Sequence, residues 1–528
     1  MAALKMDMEM TCDVLVLGGG PAGTWAAYTA SSWGAKVVLA DKGYCGSSGA
    51  TAPSGTNLWN IHAEPEVRKQ QIGQFLKRGN ALSDKGWLER LIQETAAGTH
   101  RLIQLGYPFP LDQAGKPIRR SLQGPEYMRL MRQVVQTAGV KILDHAPALH
   151  LLKDEEGVHG AHGIRLQTGE NWTVHARAVI IATGGCAFLS KALGTNVLTG
   201  DGYLMAAEAG AELSGMEFSN EYGLAAAFST VTKNFFFLWA SYSQEDGTPI
   251  EQPDKRTLAR HLMEGPVFAI LDQADARQQA AMRATQPNFF LPFDRLGINP
   301  FKQRFPIALR LEGTVRGNGG INLVNDRCAA SVPGLFAAGD AATRELVTGG
   351  TTGGGNINAS WAMTSGRVAG RAAAAHAAFI KQAGRQQKQL ADAVQAAPDN
   401  GKPLDIEAVT RALQGEVMPF EKNLFRTGTK LQQSLDKLDA LRDQVMHAAT
   451  PDREPRTLLR KHELLAMIAT ARWMYTSALG RPESRGMHQR DDFPDENEKM
   501  SSRLIVTGVE NIQLHLAELA LPTGGVLT

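Results

Sequence analysis

A strand, a glycine-rich turn, a helix and a second strand follow one another near the start of this sequence, and this order constrains the fold most strongly. Residues 13–17 (DVLVL) form a short apolar run that is typical of a buried parallel strand, and residues 18–23 (GGGPAG) follow it directly. Residues 24–33 predict a helix, residues 35–40 predict a second strand, and Asp41 ends the unit. This pattern predicts a βαβ fold that binds a dinucleotide.

Each glycine of such a unit, and the acid that follows it, has a physical role that this sequence can fill. Gly18 permits the sharp turn, Gly20 lets a pyrophosphate approach the backbone, and Gly23 lets the helix pack closely on the strand. The N-terminus of the helix offers amide donors and the positive end of its dipole. Asp41 is placed to accept a hydrogen bond from a ribose hydroxyl. At this point the cofactor can be either NAD or FAD.

Two later segments favour FAD. Residues 147–177 alternate apolar and polar positions and predict a small β-meander, which leads into the strand-like residues 178–185 (AVIIATGG). Residues 332–340 (VPGLFAAGD) predict a further strand that ends in a glycine and an acid. FAD has a ribityl chain whose hydroxyls need an additional carboxylate acceptor, and Asp340 can supply it. A plain NAD domain has no use for such a group, so we expect FAD.

Charge and hydropathy exclude several classes of protein. The 55 Lys and Arg residues nearly balance the 53 Asp and Glu residues, which leaves a net charge of +2 and no electrostatic basis for nucleic-acid binding. The longest strongly apolar aromatic run, residues 235–240, is far shorter than the ~20 residues of a membrane span. The first ten residues lack an apolar signal core. We therefore expect a cytoplasmic protein without a membrane span.

The length of the chain limits the number of structural units, and the spacing of its cysteines limits its redox chemistry. A chain of 528 residues is too long for one core, so two or three structural units are expected. The four cysteines are scattered and form no CxxC pair, and the 13 histidines form no HxxxH or HExxH pattern. Neither a zinc site nor a cysteine-ligated iron–sulfur cluster is expected. Electrons must therefore reside on an organic cofactor or on a partner.

A series of further motifs extends over nearly the whole chain. They are residues 199–202 (TGDG), 216–218 (MEF), 319–321 (GGI), 335–340 (LFAAGD), 354–356 (GGN) and 481–494 (RPESRGMHQRDDFP). Their sequence and order resemble those of the flavoprotein subunits of the succinate dehydrogenase/fumarate reductase superfamily. That superfamily includes aspartate oxidase and the alpha subunit of adenylylsulfate reductase.

The resemblance implies an α/β architecture with three parts. A Rossmann-type FAD-binding domain, residues 1–218 and 316–390, is split by an inserted α+β capping domain, residues 219–315, and a C-terminal helical domain covers residues 391–528. The polar residues 385–404 predict a linker. A leucine stripe between residues 431 and 445 and the segment 457–479 predict two helices, and the alternation at residues 512–516 predicts a terminal strand.

The resemblance also assigns residues to the cofactor and the chemistry. The expected FAD-binding residues are Gly18, Gly20, Pro21, Ala22, Gly23, Asp41, Lys42, Ser48, Gly49, Asn57, Ala182, Thr183, Gly184, Asp201, Gly339, Asp340, Asn356 and Ile357. The candidate catalytic residues are Tyr222, Glu312, Arg316 and Arg344. Glu312 would act as a general base if burial raises its pKa, and Tyr222 would donate to a developing oxyanion. Arg256 and Arg260 are expected on an exposed helix face.

Departures from the family pattern bear on both cofactor and substrate. Members with covalent flavin carry a histidine near the position of Gly49, so we expect non-covalent FAD here. Tyr222 replaces a substrate-binding histidine, the segment 312–321 lacks a second one, and Thr352 replaces an arginine. A dicarboxylate in a dry pocket needs such cationic partners. The predicted substrate is therefore a small organic molecule other than succinate or fumarate.

Three functions remain open from the sequence. The first is an FAD-dependent dehydrogenase or reductase that exchanges electrons with a separate, ferredoxin-like iron–sulfur subunit; the adenylylsulfate reductase alpha subunit is the most similar type. The second is a flavin oxidase that uses oxygen, as in aspartate oxidase. The third is a non-catalytic flavin-binding protein. The capping domain favours an enzyme, because a binding protein has little need of a lid.

Overall fold

The computed structural model describes residues 8–61, 64–112, 114–382, 403–449 and 454–517. The strands are β1 (Met8–Leu17), β2 (Val37–Ala40), β3 (Gly55–Asn57), β4 (Ser121–Gln123), β5 (Lys141–Leu143), β6 (Ala148–Asp154), β7 (Gly157–Ile164), β8 (Asn171–Ile181), β9 (Leu213–Ser214), β10 (Glu221–Ala226), β11 (Ser241–Gln244), β12 (Pro249–Ile250), β13 (Val267–Ile270), β14 (Phe305–Gly313), β15 (Gly320–Ile321), β16 (Leu335–Ala337), β17 (Leu504–Thr507) and β18 (Gln513–Leu516).

The α-helices are α1 (Pro21–Ser32), α2 (Pro65–Arg78), α3 (Lys85–Gln104), α4 (Gly124–Thr137), α5 (Asp201–Glu208), α6 (Lys255–Glu264), α7 (Ala276–Thr285), α8 (Pro287–Leu296), α9 (Glu345–Thr348), α10 (Gly354–Gln382), α11 (Ile406–Val417), α12 (Phe420–Asn423), α13 (Gly428–Met446) and α14 (Pro455–Gly480).

A seven-stranded sheet forms the centre of the dinucleotide-binding part. Its order is β5-β2-β1-β8-β7-β6, and β16 pairs with the end of β8. The strands β5, β2, β1, β8 and β16 run parallel, whereas β6, β7 and β8 form the antiparallel meander that the alternating pattern predicts. The carboxyl ends of β1, β2, β8 and β16 therefore meet at one edge, which is where open α/β sheets bind ligands.

The glycine turn after β1 is built as the sequence predicts, with one difference in the helix. Gly18 has φ +107°, and a Cβ there would lie 2.3 Å from the carbonyl oxygen of Ala182. A Cβ on Gly23 would lie 1.8 Å from the carbonyl oxygen of Gly18. Helix α1 begins at Pro21, not at residue 24, because the fixed φ of proline suits the first helical position and its missing N–H costs nothing there.

The segment between β10 and β14 forms an α+β unit of its own. Its five-stranded sheet has the order β10-β14-β13-β11-β12 and is antiparallel throughout. Helices α6 and α8 pack on it, and the buried ring pairs Phe236–Phe289 and Phe293–Phe305 contact each other edge to face in its core. We call residues 219–315 the cap; these boundaries, like those of the other two domains, stay a prediction.

The C-terminal segment contains the predicted helices and also contributes strands to another part of the molecule. Leu431, Leu435 and Leu438 are buried on α13, which confirms the predicted apolar stripe, and α14 covers the second predicted helix. Strand β18 occupies the predicted terminal strand. However, β17 and β18 join β9 and β15 in one sheet, so this segment is not helical alone. The predicted linker lies outside the described residues except for residues 403 and 404.

The helices were compared with the length and apolar character of a membrane span. Among the residues that the structure describes, no helix combines the length and the apolar character that crossing a bilayer requires.

Candidate flavin and substrate site

A large cavity lies at the edge where the parallel strands end. It contains about 1720 Å³ of empty space, part of which is open to solvent. The predicted cofactor residues that line it are Gly18, Gly20, Pro21, Ala22, Asp41, Lys42, Ser48, Gly49, Asn57, Ala182, Thr183, Gly184, Asp201, Gly339 and Asp340. The cap contributes Lys233, Asn234, Phe235, Phe236, Thr285 and Gln286. One continuous space therefore reaches from the glycine turn to the cap.

Three predicted cofactor residues do not line this cavity. Gly23 packs against the main chain of Gly18, which is the helix-to-strand contact predicted for it. Asn356 and Ile357 lie in the first turn of α10, and Ile357 is fully buried. Their predicted contact with the cofactor is thus not reproduced by the lining of the cavity.

The glycine turn leaves room for a phosphate. An added Cβ at Gly20 would meet no atom within 4 Å, so the backbone there faces open space at the start of α1. The first turn of a helix leaves N–H groups without intrahelical partners, and the first turn of α1 lines the cavity at Pro21 and Ala22. A pyrophosphate therefore fits beside Gly20, and the residues present are suited to a dinucleotide.

Asp41 holds the glycine turn by hydrogen bonds and also lines the cavity. Its Oδ2 accepts a hydrogen bond from the N–H of Gly19, and its Oδ1 accepts from the N–H of Gly43 at 2.7 Å and from Ser48 Oγ at 2.8 Å. A carboxylate offers about four acceptor sites, so one remains for a ligand hydroxyl. Asp41 can thus hold a ribose and fix the loops on either side of it.

Asp340 lines the same cavity, in the short turn that follows β16. Its main-chain carbonyl accepts a hydrogen bond from Tyr203 Oη at 2.6 Å, and its carboxylate forms an ion pair with Arg344. Burial raises the pKa of Asp340, and the charges on Arg344 and Lys233 only partly oppose this. The carboxyl group reaches the cavity, where the predicted ribityl chain would need an acceptor.

Arg344 acts on the backbone and does not line the cavity. The side chain is 1% exposed, and its Nη2 donates to the carbonyls of Thr314, Val315 and Gly317. Together with the Asp340 ion pair, these bonds hold the segment around Arg316 against the end of β16. The structure therefore gives Arg344 a positioning role and does not support direct contact with a substrate.

Lys42 connects the cofactor side of the cavity to the C-terminal segment. Its Nζ lies 2.6 Å from Asp201 Oδ2 and 2.9 Å from Glu463 Oε1, and it donates to Thr199 Oγ1 at 2.6 Å. Burial acts to lower the pKa of Lys42, but the two carboxylates outweigh it and the pKa is raised. Lys42 is consequently a fixed cation at the wall of the cavity.

Three charged side chains meet where the cap closes the cavity. Lys233 Nζ lies 3.7 Å from Glu312 Oε2, and Arg316 Nη1 lies 3.5 Å from Glu312 Oε1. Glu312 is fully buried, whereas Lys233 and Arg316 line the cavity. The sequence indicated Glu312 and Arg316 but not Lys233, whose segment (VTKNFFF) has no motif around it. We call Lys233, Glu312 and Arg316 the charge triad.

The predicted role of Glu312 as a general base required a raised pKa, and the structure gives the opposite. Burial acts to raise the pKa of Glu312, but the charges on Lys233 and Arg316 exceed this effect and lower it. Burial lowers the pKa of Lys233 despite the nearby Glu312 carboxylate. Glu312 is therefore a fixed anion between two cations and a weak base.

Tyr222 and Thr352 lie outside the cavity lining. The Tyr222 hydroxyl donates to the main-chain carbonyl of Met418 at 2.8 Å and is 1% exposed. Thr352 Oγ1 donates to the main-chain carbonyl of Arg316 at 3.0 Å. Donation by Tyr222 to an oxyanion is not supported by this position, because its only proton is already engaged by a carbonyl.

Arg256 and Arg260 do not form a purely solvated helix face. Arg256 donates to the carbonyl of Leu424 and forms an ion pair with Asp491 at 2.7 Å. Both guanidinium groups lie over the ring of Phe425, at 4.6 and 5.2 Å from its centroid. Arg260 is exposed as expected, whereas Arg256 is half-buried and attaches the cap to the C-terminal segment.

Comparisons with known proteins agree with this arrangement. Residues 13–221 match the FAD binding domain family, and residues 411–519 match the C-terminal domain of the fumarate reductase flavoprotein. An uncharacterized FAD-dependent oxidoreductase of Methanocaldococcus jannaschii is 25% identical, with 94% of this chain and 97% of the relative covered. L-aspartate oxidase of Streptomyces coelicolor is 26% identical, with 94% and 91% covered.

The fold is shared with a solved fumarate reductase. FrdA of the E. coli quinol fumarate reductase superposes with a TM-score of 0.82 at 19% identity, with 99% of both chains covered. This likeness confirms the predicted fold class. The family matches confirm that the cofactor is FAD.

Proposed function

The chain belongs to the succinate dehydrogenase/fumarate reductase superfamily and is an FAD-dependent oxidoreductase, and from this premise we propose that its substrate is a small organic molecule other than succinate or fumarate. FAD supplies two-electron redox chemistry when it is bound. The protein's own residues bind the cofactor, orient the substrate under the cap and exclude water from the site. Tyr203, Arg344 and Asp340 fix the wall to which the substrate-binding segment is attached.

One observation carries the exclusion of dicarboxylates. Tyr222 and Thr352, which stand where the family has a histidine and an arginine, donate to main-chain carbonyls and do not line the cavity. Lys233 and Arg316 are the cations that line the cavity beside the cap among the described residues, and Glu312 neutralises part of their charge. Two carboxylates in a desolvated site would lack the bidentate partners that they need.

The substrate proposal can be tested with purified holoprotein and an artificial electron acceptor. We expect succinate to give no more dye reduction than a heat-denatured sample of the same protein. Turnover at ordinary enzymatic rates, ~1–10³ s⁻¹, would show that the site accepts dicarboxylates after all.

We also propose that electrons pass between this chain and a separate iron–sulfur protein. The four cysteines are free and buried, and burial raises the pKa of Cys12, Cys45 and Cys186 to about 12. Their thiols stay protonated and offer no thiolate for a cluster. A flavin beneath a cap needs another redox centre close by if a large acceptor is to be reached.

The partner proposal is tested by reoxidation kinetics. Reduced holoprotein is mixed with oxygen or with a ferredoxin-like iron–sulfur protein encoded beside its gene. We expect slow reoxidation by oxygen and fast reoxidation by the partner. Stoichiometric oxygen consumption at ~1–10³ s⁻¹ with a substrate would instead favour the oxidase.

A further inference from the structure

We infer that the charge triad selects a substrate with a single carboxylate, held by Arg316 and Lys233 at the cap side of the cavity. This inference rests on the proposed function, since it names the substrate class of the same site. It goes further because it assigns the binding groups and the number of charges that they accept.

Arg316 has donors that the protein does not use. A guanidinium has five N–H groups, yet the only hydrogen bond that the Arg316 side chain makes among the described residues is a long one, from Nη1 to Glu312 Oε1 at 3.5 Å. Its Nε is buried without an acceptor. Leaving buried donors unpaired costs about 1–3 kcal/mol for a neutral group and more for a charged one. Because Arg316 lines the cavity, an acceptor on a bound ligand can satisfy these donors.

Lys233 is the second donor. Its Nζ donates to the carbonyl of Leu193 at 3.0 Å and lies 3.7 Å from Glu312 Oε2, so an ammonium proton remains for a ligand. The main chain of Lys233 is held by Gln286 Nε2, which donates to its carbonyl oxygen. The lysine is therefore positioned by the cap at the wall of the cavity.

The count of charges sets the class of ligand. Within the triad, two cations and one carboxylate leave a net charge of +1. Asp340 is neutralised by Arg344, and the two carboxylates of Asp201 and Glu463 are balanced by Lys42 and Arg460. One anionic group balances this charge, whereas a second would be buried without a counterion. The neighbouring Phe235 and Phe236 offer apolar contacts to the rest of the molecule.

Crotonate and fumarate form a matched pair of probes. Both are trans-unsaturated C4 acids, and they differ by a methyl group in place of the second carboxylate. Each is titrated at constant ionic strength into oxidised holoprotein, and binding is read from the perturbation of the flavin visible spectrum. We expect crotonate to bind at least about tenfold more tightly than fumarate, which corresponds to about 1.4 kcal/mol.

Two variants and one control test the origin of the preference. Arg316→Gln is expected to weaken crotonate binding by about tenfold or more, as loss of a charge-assisted hydrogen bond requires. Glu312→Gln raises the net charge of the triad to +2 and is expected to strengthen fumarate binding more than crotonate binding. Arg283→Gln removes an exposed cation of the cap and should change neither affinity.

The inference is overturned if fumarate binds as tightly as crotonate, if neither acid perturbs the spectrum, or if Glu312→Gln leaves the ratio unchanged. These outcomes are distinct from failure of the proposed function. A neutral or cationic substrate that reduces the flavin would overturn the single-carboxylate class and leave the non-dicarboxylate oxidoreductase intact. Turnover of succinate would overturn the proposed function itself.

Discussion

Lys42 and Glu463 form an ion pair of 2.9 Å although they are 421 residues apart in sequence. Lys42 follows β2 at the cofactor cavity, whereas Glu463 lies on α14. Asp201 Oδ2, 2.6 Å from the same ammonium, completes the contact. The C-terminal segment is therefore attached to the wall of the cofactor cavity by a buried cation.

Removal of this cation is expected to weaken both stability and cofactor retention. Lys42→Met removes the ion-pair partner of the nearly buried Asp201 carboxylate and leaves Glu463 paired with Arg460 alone, which should cost about 3–5 kcal/mol. Thermal release of flavin fluorescence should then occur at lower temperature than in the unmodified protein. In the control, Lys85→Met removes an exposed lysine 3.7 Å from Glu89 and should change stability by less than about 0.5 kcal/mol. Equal shifts in both variants would contradict the account.

Asp41→Ala is expected to weaken FAD binding by about 1–3 kcal/mol, because a ligand hydroxyl and the N–H groups of Gly19 and Gly43 lose their acceptor. The dissociation constant can be measured by titrating apoprotein with FAD and following flavin fluorescence. Asp326→Ala, which removes an exposed carboxylate, provides the control. An unchanged affinity in Asp41→Ala would show that the cofactor does not lie beside β2.

FAD is expected to be bound non-covalently. Gly49 lines the cavity near the position at which the family carries a flavin-linking histidine, and it has no side chain that could form a bond. Acid precipitation should therefore release all of the yellow colour into the supernatant. A yellow pellet that resists washing would contradict this expectation.

Glu345 is expected to make stability depend on pH. Burial and the charge on Glu217 raise the pKa of Glu345 from its ordinary 4.5 to about 8. The folded protein therefore retains a proton that the unfolded chain loses. The resulting loss of folding stability is absent below about pH 4.5, grows as the pH rises toward 8, and is constant above that pH. Glu345→Gln should raise the melting temperature more at pH 9 than at pH 5.

The control for this prediction is Glu498→Gln, which changes an exposed carboxylate. Its melting temperature should follow that of the unmodified protein at each pH. A stabilisation by Glu345→Gln that is the same at both pH values would show that Glu345 does not hold a proton in the folded state.

The sequence was informative where local patterns determine structure. Local patterns predicted the apolar strands before Gly18 and Gly184, the alternating strands of the meander, and the acids Asp41 and Asp340 that follow strands. Each depends on residues close together in sequence, either through the two-residue period of a strand or through a glycine turn. Because parallel strands end at one edge, these patterns also located the cofactor side of the cavity. The stripe on α13 followed from helical periodicity in the same way.

The residues on the substrate side of the cavity could not be predicted from local sequence patterns. Lys233 has no motif around it, and it reaches Glu312 only because β10 and β14 pair within the cap sheet. The role of Glu312 as a general base required that burial raise its pKa, but Lys233, which no motif marks, and Arg316, four positions along the chain, together lower the pKa. Arg344 and Tyr222 have the right chemistry for catalysis, yet main-chain carbonyls occupy their donors. Such long-range contacts leave no signal in sequence spacing.

The central claim is that this flavoprotein does not process dicarboxylates, and a single-turnover experiment tests it most directly. The bound flavin is reduced anaerobically with one equivalent of dithionite and mixed with excess fumarate, and the return of the oxidised flavin absorbance is followed. The account predicts no faster reoxidation than in a buffer control, because Tyr222 and Thr352 do not reach the cavity. Reoxidation at ~1–10³ s⁻¹ would contradict it.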